Sequence, residues 1–254
     1  MIIYFSSTGN SKHVAKRIAE ATDDWTRSIT KFEVRDFIEI KKGGSLGIVC
    51  PTYFGGLPAN MREFISKVRV MLGDGVYCYF VATYGGKTGQ VAKDMENELS
   101  KRDIHLDAKY SVKMVDTYTP MFDVSDEAKN RTIEEAAEAE IDQVIAHIKA
   151  RDTGDFVRDK LMGLISRSMY RKYDAARHTS NFTAEDRCVK CMLCVKRCPS
   201  RAIEMKDGKP HWIKDQCVLC LGCLHRCPKF SIQYGDKTKG HGQYKNPNDL
   251  IWEA

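Results

Sequence analysis

The stretch MIIYFSSTGNSKHVAKRIAEA, residues 1–21, carries the reading of the fold. Met1–Phe5 is an uncharged apolar run, the pattern of a strand covered on both faces. Val14, Ala15, Ile18 and Ala19 then recur at helical spacing and make one apolar face. Between strand and helix, Ser6–Ser11 sets the hydroxyls of Ser6, Ser7, Thr8 and Ser11 around Asn10 and Gly9. Gly9 allows a tight turn with N–H groups pointing inward, and the helix behind it adds its positive N-terminus. Such a loop suits a phosphate monoester. It has neither the lysine of a nucleotide-triphosphate loop nor the G-x-G-x-x-G of a dinucleotide site. The competing structural reading is a capped helix start.

The alternation continues to residue 150. Further strands are expected at Ser28–Glu33, Leu46–Cys50, Val76–Thr83 and Leu106–Met114. Met61, Phe64, Ile65 and Val68 make a second helical face, and Lys87–Arg102 a third helix. In Asp126–Lys149 the residues Ile133, Ile141, Val144, Ile145 and Ile148 form one stripe. Strands alternating with helices define an α/β class, a doubly wound parallel sheet of five strands.

A length of 254 residues is comfortable for two domains, and 43% hydrophobic with 29% charged residues is the composition of a soluble fold. No apolar run reaches the ~18 residues of a membrane span. The chain enters MIIYF without the basic and apolar regions of a signal, so a cytoplasmic protein is expected. In that compartment ten cysteines point to metal or redox chemistry rather than disulfides. The net charge of +6 comes with no recognisable nucleic-acid-binding module, so no nucleic-acid partner is expected. Residues 151–181 read as a partly helical linker, with Leu161–Tyr173 its helix. Its basic residues Arg151, Arg158, Lys160, Arg167, Arg171, Lys172 and Arg177 are either a solvated helix face or a docking surface for an acidic redox partner. Residues 236–254 read as a loose tail that Leu250, Ile251 and Trp252 pin back.

Eight cysteines fall in two runs of the form C-x2-C-x2-C-x3-C-P: Cys188, Cys191, Cys194, Cys198-Pro199, and Cys217, Cys220, Cys223, Cys227-Pro228. Structural zinc accounts for paired C-x2-C knuckles, but for neither the third cysteine of each run nor the prolines. The runs resemble those of bacterial two-[4Fe–4S] ferredoxins, over residues 182–235. In that family the fourth thiolate of each run binds the other cluster. The resemblance therefore implies one [4Fe–4S] centre on Cys188, Cys191, Cys194 and Cys227 and another on Cys217, Cys220, Cys223 and Cys198. Cys50 and Cys78 sit in strand patterns among apolar neighbours and read as buried, unreactive thiols.

Two more loops belong to the face of Ser6–Ser11. CPTYFGGLPAN follows the third strand and TYGGKTG the fourth, each placing aromatics beside paired glycines where open α/β sheets bind ligands. YFSSTGNS, PTYFGG and TYGG resemble the phosphate loop and the two isoalloxazine loops of the flavodoxin superfamily, over residues 1–150. The whole chain resembles the flavodoxin–ferredoxin fusion proteins found mostly in anaerobic bacteria. The resemblance implies strand order 2-1-3-4-5, and FMN with its phosphate on Ser6, Ser7, Thr8, Gly9, Asn10 and Ser11. The ring would lie between Pro51, Thr52, Tyr53, Phe54, Gly55, Gly56 and Thr83, Tyr84, Gly85, Gly86. Tyr53 and Tyr84 are stacking candidates, Gly55 the place for a redox-linked peptide flip, and Tyr118 or Phe122 a cover. The two ring loops contain no acid and Lys87 adds a positive charge, so a flavin easier to reduce than a flavodoxin's is expected.

The resemblance supports two functions. One is an electron-transfer iron–sulfur flavoprotein, with no catalytic residue, passing electrons between FMN, two [4Fe–4S] clusters and partner proteins. The other is an oxidoreductase whose FMN reduces a small conjugated substrate such as a quinone. A structural zinc protein on a degenerate flavodoxin fold is the non-redox alternative. If the linker holds the modules apart, transfer would run between the subunits of a homodimer.

Overall fold

The computed structural model describes residues 1–161 and 163–249. In chain order its first half comprises β1 (Ile2–Tyr4), α1 (Asn10–Ala21), β2 (Thr26–Ser28), β3 (Phe37–Ile40), β4 (Ser45–Pro51), α2 (Ala59–Lys67), β5 (Arg69–Leu72), β6 (Tyr77–Tyr84), α3 (Val91–Ser100), β7 (Ala108–Lys113) and α4 (Glu127–Ala150). The second half comprises β8 (Gly154–Asp155), α5 (Gly163–Ala176), β9 (Phe182–Ala184), α6 (Leu193–Lys196), β10 (Ile203–Lys206), β11 (Lys209–Trp212), α7 (Gly222–His225), β12 (Ile232–Tyr234) and α8 (Thr238–His241).

The core is a parallel sheet in the order β2-β1-β4-β6-β7-β8. All eight residues of β6 are buried, as a central strand covered on both faces requires. On one face α1 and α4 pack Val14, Ile18, Ile141, Val144 and Ile148 against Ile2, Tyr79 and Tyr110. On the other, α2 and α3 pack Met61, Ile65, Met95 and Leu99 against Ile3, Ile48 and Phe80. Fully burying one such side chain contributes roughly 1.5–3 kcal/mol before the entropy of ordering is counted.

The five expected strands lie in the expected sequence, but the sheet differs from it in detail. It has a sixth strand, β8, and a separate parallel pair, β3–β5, stands beside it. The second strand is displaced: β2 ends at Ser28, where the expected strand begins, because the Ser28 hydroxyl accepts the Thr30 N–H and starts a 3-10 turn. The third helix starts at Val91 instead of Lys87, because Thr88 is tied to the linker through Thr88 N to Asp159 O and Thr88 Oγ1 to Arg158 O.

The cysteine-rich region is a small α+β unit of two antiparallel pairs, β10–β11 and β9–β12, with the short helices α6 and α7. The units are not independent. Residues 154–155 complete the main sheet, and α5 lies over the loop after β4, with the Ser166 hydroxyl on Gly55 O. The expected loose tail is instead packed: Thr238, Tyr244 and Asn246 are buried, and the Tyr244 hydroxyl bonds Asn10 Oδ1 and Glu134. A composition of Gly, Lys and Asn reads as loop, yet each of these polar groups finds a partner. Leu250, Ile251 and Trp252 lie outside the described residues. Among the described residues no helix is long and apolar enough to cross a membrane.

Candidate cofactor sites

A cavity of about 450 Å³ opens at the carboxyl ends of β1, β4, β6 and β7. Ser6, Ser7, Thr8, Asn10 and Ser11 form one end of it. Gly9 takes φ 104 and stands before α1 without a side-chain cap, so the capped-helix reading does not describe this loop. Its N–H goes to Ser6 Oγ at 3.1 Å. Two side chains are committed elsewhere. Ser11 Oγ bonds Thr83 Oγ1 at 2.8 Å, joining the loop to the end of β6. Asn10 donates to Val115 O and accepts from Tyr244 and Asn246. The first-turn N–H groups of α1 have no partner inside the helix and are what such a loop offers an anion.

Pro51, Thr52, Tyr53, Phe54 and Gly55 form a second side, and Thr83, Tyr84, Gly85 and Gly86 a third. Tyr53 and Gly56 exchange backbone hydrogen bonds across Phe54 (φ 50) and Gly55 (φ 73), a turn of type I′. Gly55 O accepts from Gln90 N at 2.7 Å and Ser166 Oγ at 3.2 Å, so a flip of that peptide must break both bonds. Thr52 Oγ1 is buried with no partner and belongs to a cavity-lining residue, which fits a ligand with a polar edge. Gly9 and Gly56 do not line the cavity: Gly9 faces the tail, and Gly56 packs on the Tyr170 ring. Tyr118 lines it, edge-on to Phe54 at 5.1 Å, and Phe122 stands at its exposed mouth.

Two charges bear on the expected ease of flavin reduction. Lys87 is paired with Asp159 at 2.8 Å, and Asp159 also takes the Tyr84 hydroxyl. The cavity also has an acid outside the two ring loops: Asp116, which lies against Gly85. Burial pushes its carboxyl up, against the N–H groups of Tyr118 and Gly86 that accompany it. Asp116 sits after β7, and no loop motif announces it. Met169 and Lys172 of α5, and Leu219, Cys220 and Leu221 of the second cysteine run, also wall the cavity. Their distance in sequence hid them.

The two cysteine runs lie against each other, and Cys223 has Cys220, Cys217, Cys198 and Cys194 as electrostatic neighbours. Cys194 has Cys191, Cys188 and Cys227 as its charged neighbours, whereas Cys217 and Cys220 have Cys198. A second cavity is lined by Cys194, Cys198, Cys217, Cys220 and Cys223. Lys190, Met192, Leu219 and Leu221, between the cysteines, are left-handed and curl each run into a ring. Backbone N–H groups reach the sulfurs, Leu219 N to Cys217 Sγ at 3.2 Å and Ser231 N to Cys227 Sγ at 3.3 Å. Desolvation pushes Cys194 up to about 11 and Cys220 up to about 12, so ionised thiolates here need a cationic centre beside them, as an iron–sulfur cluster provides. Cys220 lines both cavities. Cys50 and Cys78 are buried, and desolvation raises both thiols, Cys78 to about 11, as expected of inert groups.

Several bonds fix the cysteine runs against the larger unit. The Tyr173 hydroxyl donates to Val218 O at 2.6 Å, and Arg177 Nε to Cys217 O at 2.7 Å. His225 is 1% exposed: its Nδ1 accepts the Tyr244 N–H, so Nε2 carries the proton and donates to Thr117 O at 2.8 Å. Burial lowers its pKa to about 4, which keeps the ring neutral.

Comparison with known proteins defines the class. Residues 1–107 match the flavodoxin domain family, and residues 187–232 match the 4Fe-4S dicluster domain family. The two matches together are consistent with a flavodoxin–ferredoxin fusion and support a redox protein of the FMN and iron–sulfur class. No curated protein matches it. Among solved structures, a Bacteroides uniformis ATCC 8492 chain named as a flavoprotein is 16% identical, over 53% of this chain and 94% of that one, with a TM-score of 0.32. The Trp repressor binding protein of Bacillus subtilis is 12% identical, over 55% of this chain and 94% of its own, with a TM-score of 0.34. Rubredoxin oxygen:oxidoreductase of the anaerobe Desulfovibrio gigas is 16% identical, over 59% of this chain but 36% of its own length, with a TM-score of 0.34.

Proposed function

We propose that this protein is an electron carrier in which FMN exchanges electrons with two [4Fe–4S] clusters and, through them, with redox partner proteins. The observation that carries the reading is the position of Cys220, a residue that lines both cavities. The flavin supplies one- and two-electron storage, and the clusters supply single-electron steps. Ser6, Ser7, Thr8 and the start of α1 would hold the phosphate, and Thr52, Tyr53, Phe54, Gly85 and Gly86 the ring. Cys198, Cys217, Cys220 and Cys223 would hold the cluster beside the flavin, and Cys188, Cys191, Cys194 and Cys227 the outer one. Cys191 and its neighbours Val189 and Lys190 are exposed, which suits the outer cluster to an external partner. Because one chain supplies both sites, transfer does not call for a second subunit. The proposed units are 1–150, 151–181, 182–235 and 236–254, in a cytoplasmic protein.

One feature favours the reductase alternative: Met121 and Phe122, 66% and 40% exposed, line the flavin cavity and leave an apolar ledge at its mouth. An anaerobic absorption spectrum with iron, sulfide and flavin assays tests the cofactor set. Eight irons and one FMN per chain are expected, and a chain holding zinc would overturn it. Oxidation of the reduced protein by quinones separates the functions. A carrier shows no saturation with quinone concentration, whereas saturable kinetics would establish the reductase.

A further inference from the structure

The phosphate loop is held from behind by the other end of the chain. Arg226 Nε donates to Ser7 O at 2.6 Å, and the same guanidinium reaches Asp249 Oδ2 at 2.7 Å. Asp249 takes Lys12 Nζ on its other oxygen at 2.8 Å, and its side chain is 3% exposed. Asn246 N donates to Thr8 O at 2.8 Å. Asp249 and Asn246 lie so close to Gly9 that a Cβ there would stand 2.7 and 2.9 Å from theirs. A trans peptide sets its N–H opposite its carbonyl. Anchoring Ser7 O to Arg226 therefore turns the Thr8 N–H to the opposite side of the loop, and anchoring Thr8 O to the tail does the same for the Gly9 N–H, which there meets Ser6 Oγ at 3.1 Å.

We propose that Arg226 is a positioning residue of the flavin-phosphate site, held in place by Asp249, so that FMN retention depends on the second cysteine run and the tail. This rests on reading Ser6–Ser11 as the phosphate site. Arg226 does not line the cavity; its planar fork spans the Ser7 carbonyl and the Asp249 carboxylate together, which a single ammonium does not do. Its action is geometric, and charge alone does not replace it.

The test is the affinity of the cluster-loaded full chain for FMN and for riboflavin, measured anaerobically by flavin fluorescence. Riboflavin has the ring and lacks the phosphate. Arg226→Gln and Arg226→Lys are both expected to raise the FMN dissociation constant about tenfold, equivalent to about 1.4 kcal/mol. Asp249→Asn should weaken FMN by a smaller factor in the same direction. Riboflavin binding and iron content should stay at wild-type levels throughout. Wild-type affinity in Arg226→Lys, or tighter FMN binding in Asp249→Asn, would show that charge acts and geometry does not, and would overturn the proposal. Parallel loss of riboflavin would overturn it too, as a sign of general collapse. If the Arg226 variants lose iron, Asp249→Asn decides alone. A wild-type chain that binds neither flavin counts against the flavin reading itself.

Discussion

Tyr173→Phe isolates one bond at the seam between the flavin cavity and the cysteine runs. Tyr173 is 1% exposed, and its ring packs on Tyr53, Phe54 and Tyr170, contacts that phenylalanine keeps. Only the oxygen is removed. Val218 O then loses its 2.6 Å donor in a buried place, at a cost of about 1–3 kcal/mol. Ala59 N loses a longer bond of 3.3 Å at the start of α2, for about 0.5 kcal/mol more. A total of about 1.5–3.5 kcal/mol lowers the melting temperature of a chain of this size by about 3–14 °C. Circular dichroism melts of the cluster-loaded proteins, run anaerobically at one scan rate, measure it. Tyr170→Phe is the comparison: from a half-buried side chain it loses the bond to Leu57 O and one with the partly exposed Arg62, and should shift less. A Tyr173→Phe melt within about 1 °C of wild type would refute the claim that this hydroxyl holds the two units together.

Three other perturbations read different parts of the molecule. In Gly85→Ala the new Cβ falls 2.2 Å from Asp116 Cβ, so flavin content should drop to traces while iron content holds; full flavin would contradict the close approach. Asp116→Asn removes the one acid among the described residues that line the cavity, so the potential of the flavin couple should rise by tens of millivolts at pH 8, and less in acid where Asp116 protonates. An unchanged potential at pH 8 would place that charge too far from the ring to matter. Burial alone would raise the Glu98 carboxyl, but Lys101 and Arg62 outweigh it and hold it below the usual range. A folded pKa below the unfolded value of about 4.3 adds stability above that pH and loses it as pH falls through the folded value. Glu98→Gln should therefore cost about 1–2 kcal/mol at pH 7 and progressively less in acid, and equal losses at both would be the wrong sign.

Much of the architecture was legible because it is written in short-range pattern. The uncharged run of β6, the stripe of α4 and the fixed cysteine spacing depend only on neighbours in sequence. The second strand was misplaced because TRSITKFE is equally consistent with several boundaries, and one Ser28 hydroxyl decides among them. In the cavity, the Ser, Thr and Gly loops were readable because each joins a strand to the next helix. Asp116, Met169, Lys172 and Leu221 were not, since they reach the cavity only through tertiary packing. The partner of Lys87 was hidden for the same reason: Asp159 lies 72 residues on.

The contact between the first loop and the last described residues also bears on how the protein is made. A domain built at the N-terminus ordinarily folds and takes its cofactor while the rest of the chain is still emerging. Here Thr8 and Gly9 wait for Asn246 and Asp249. At roughly 5–20 residues per second, translation leaves that loop without its backing for tens of seconds. If that loop holds the flavin phosphate as proposed, flavin met during that interval would encounter an unfinished site, and stable capture would follow synthesis, when the cysteine runs have folded and the tail has returned.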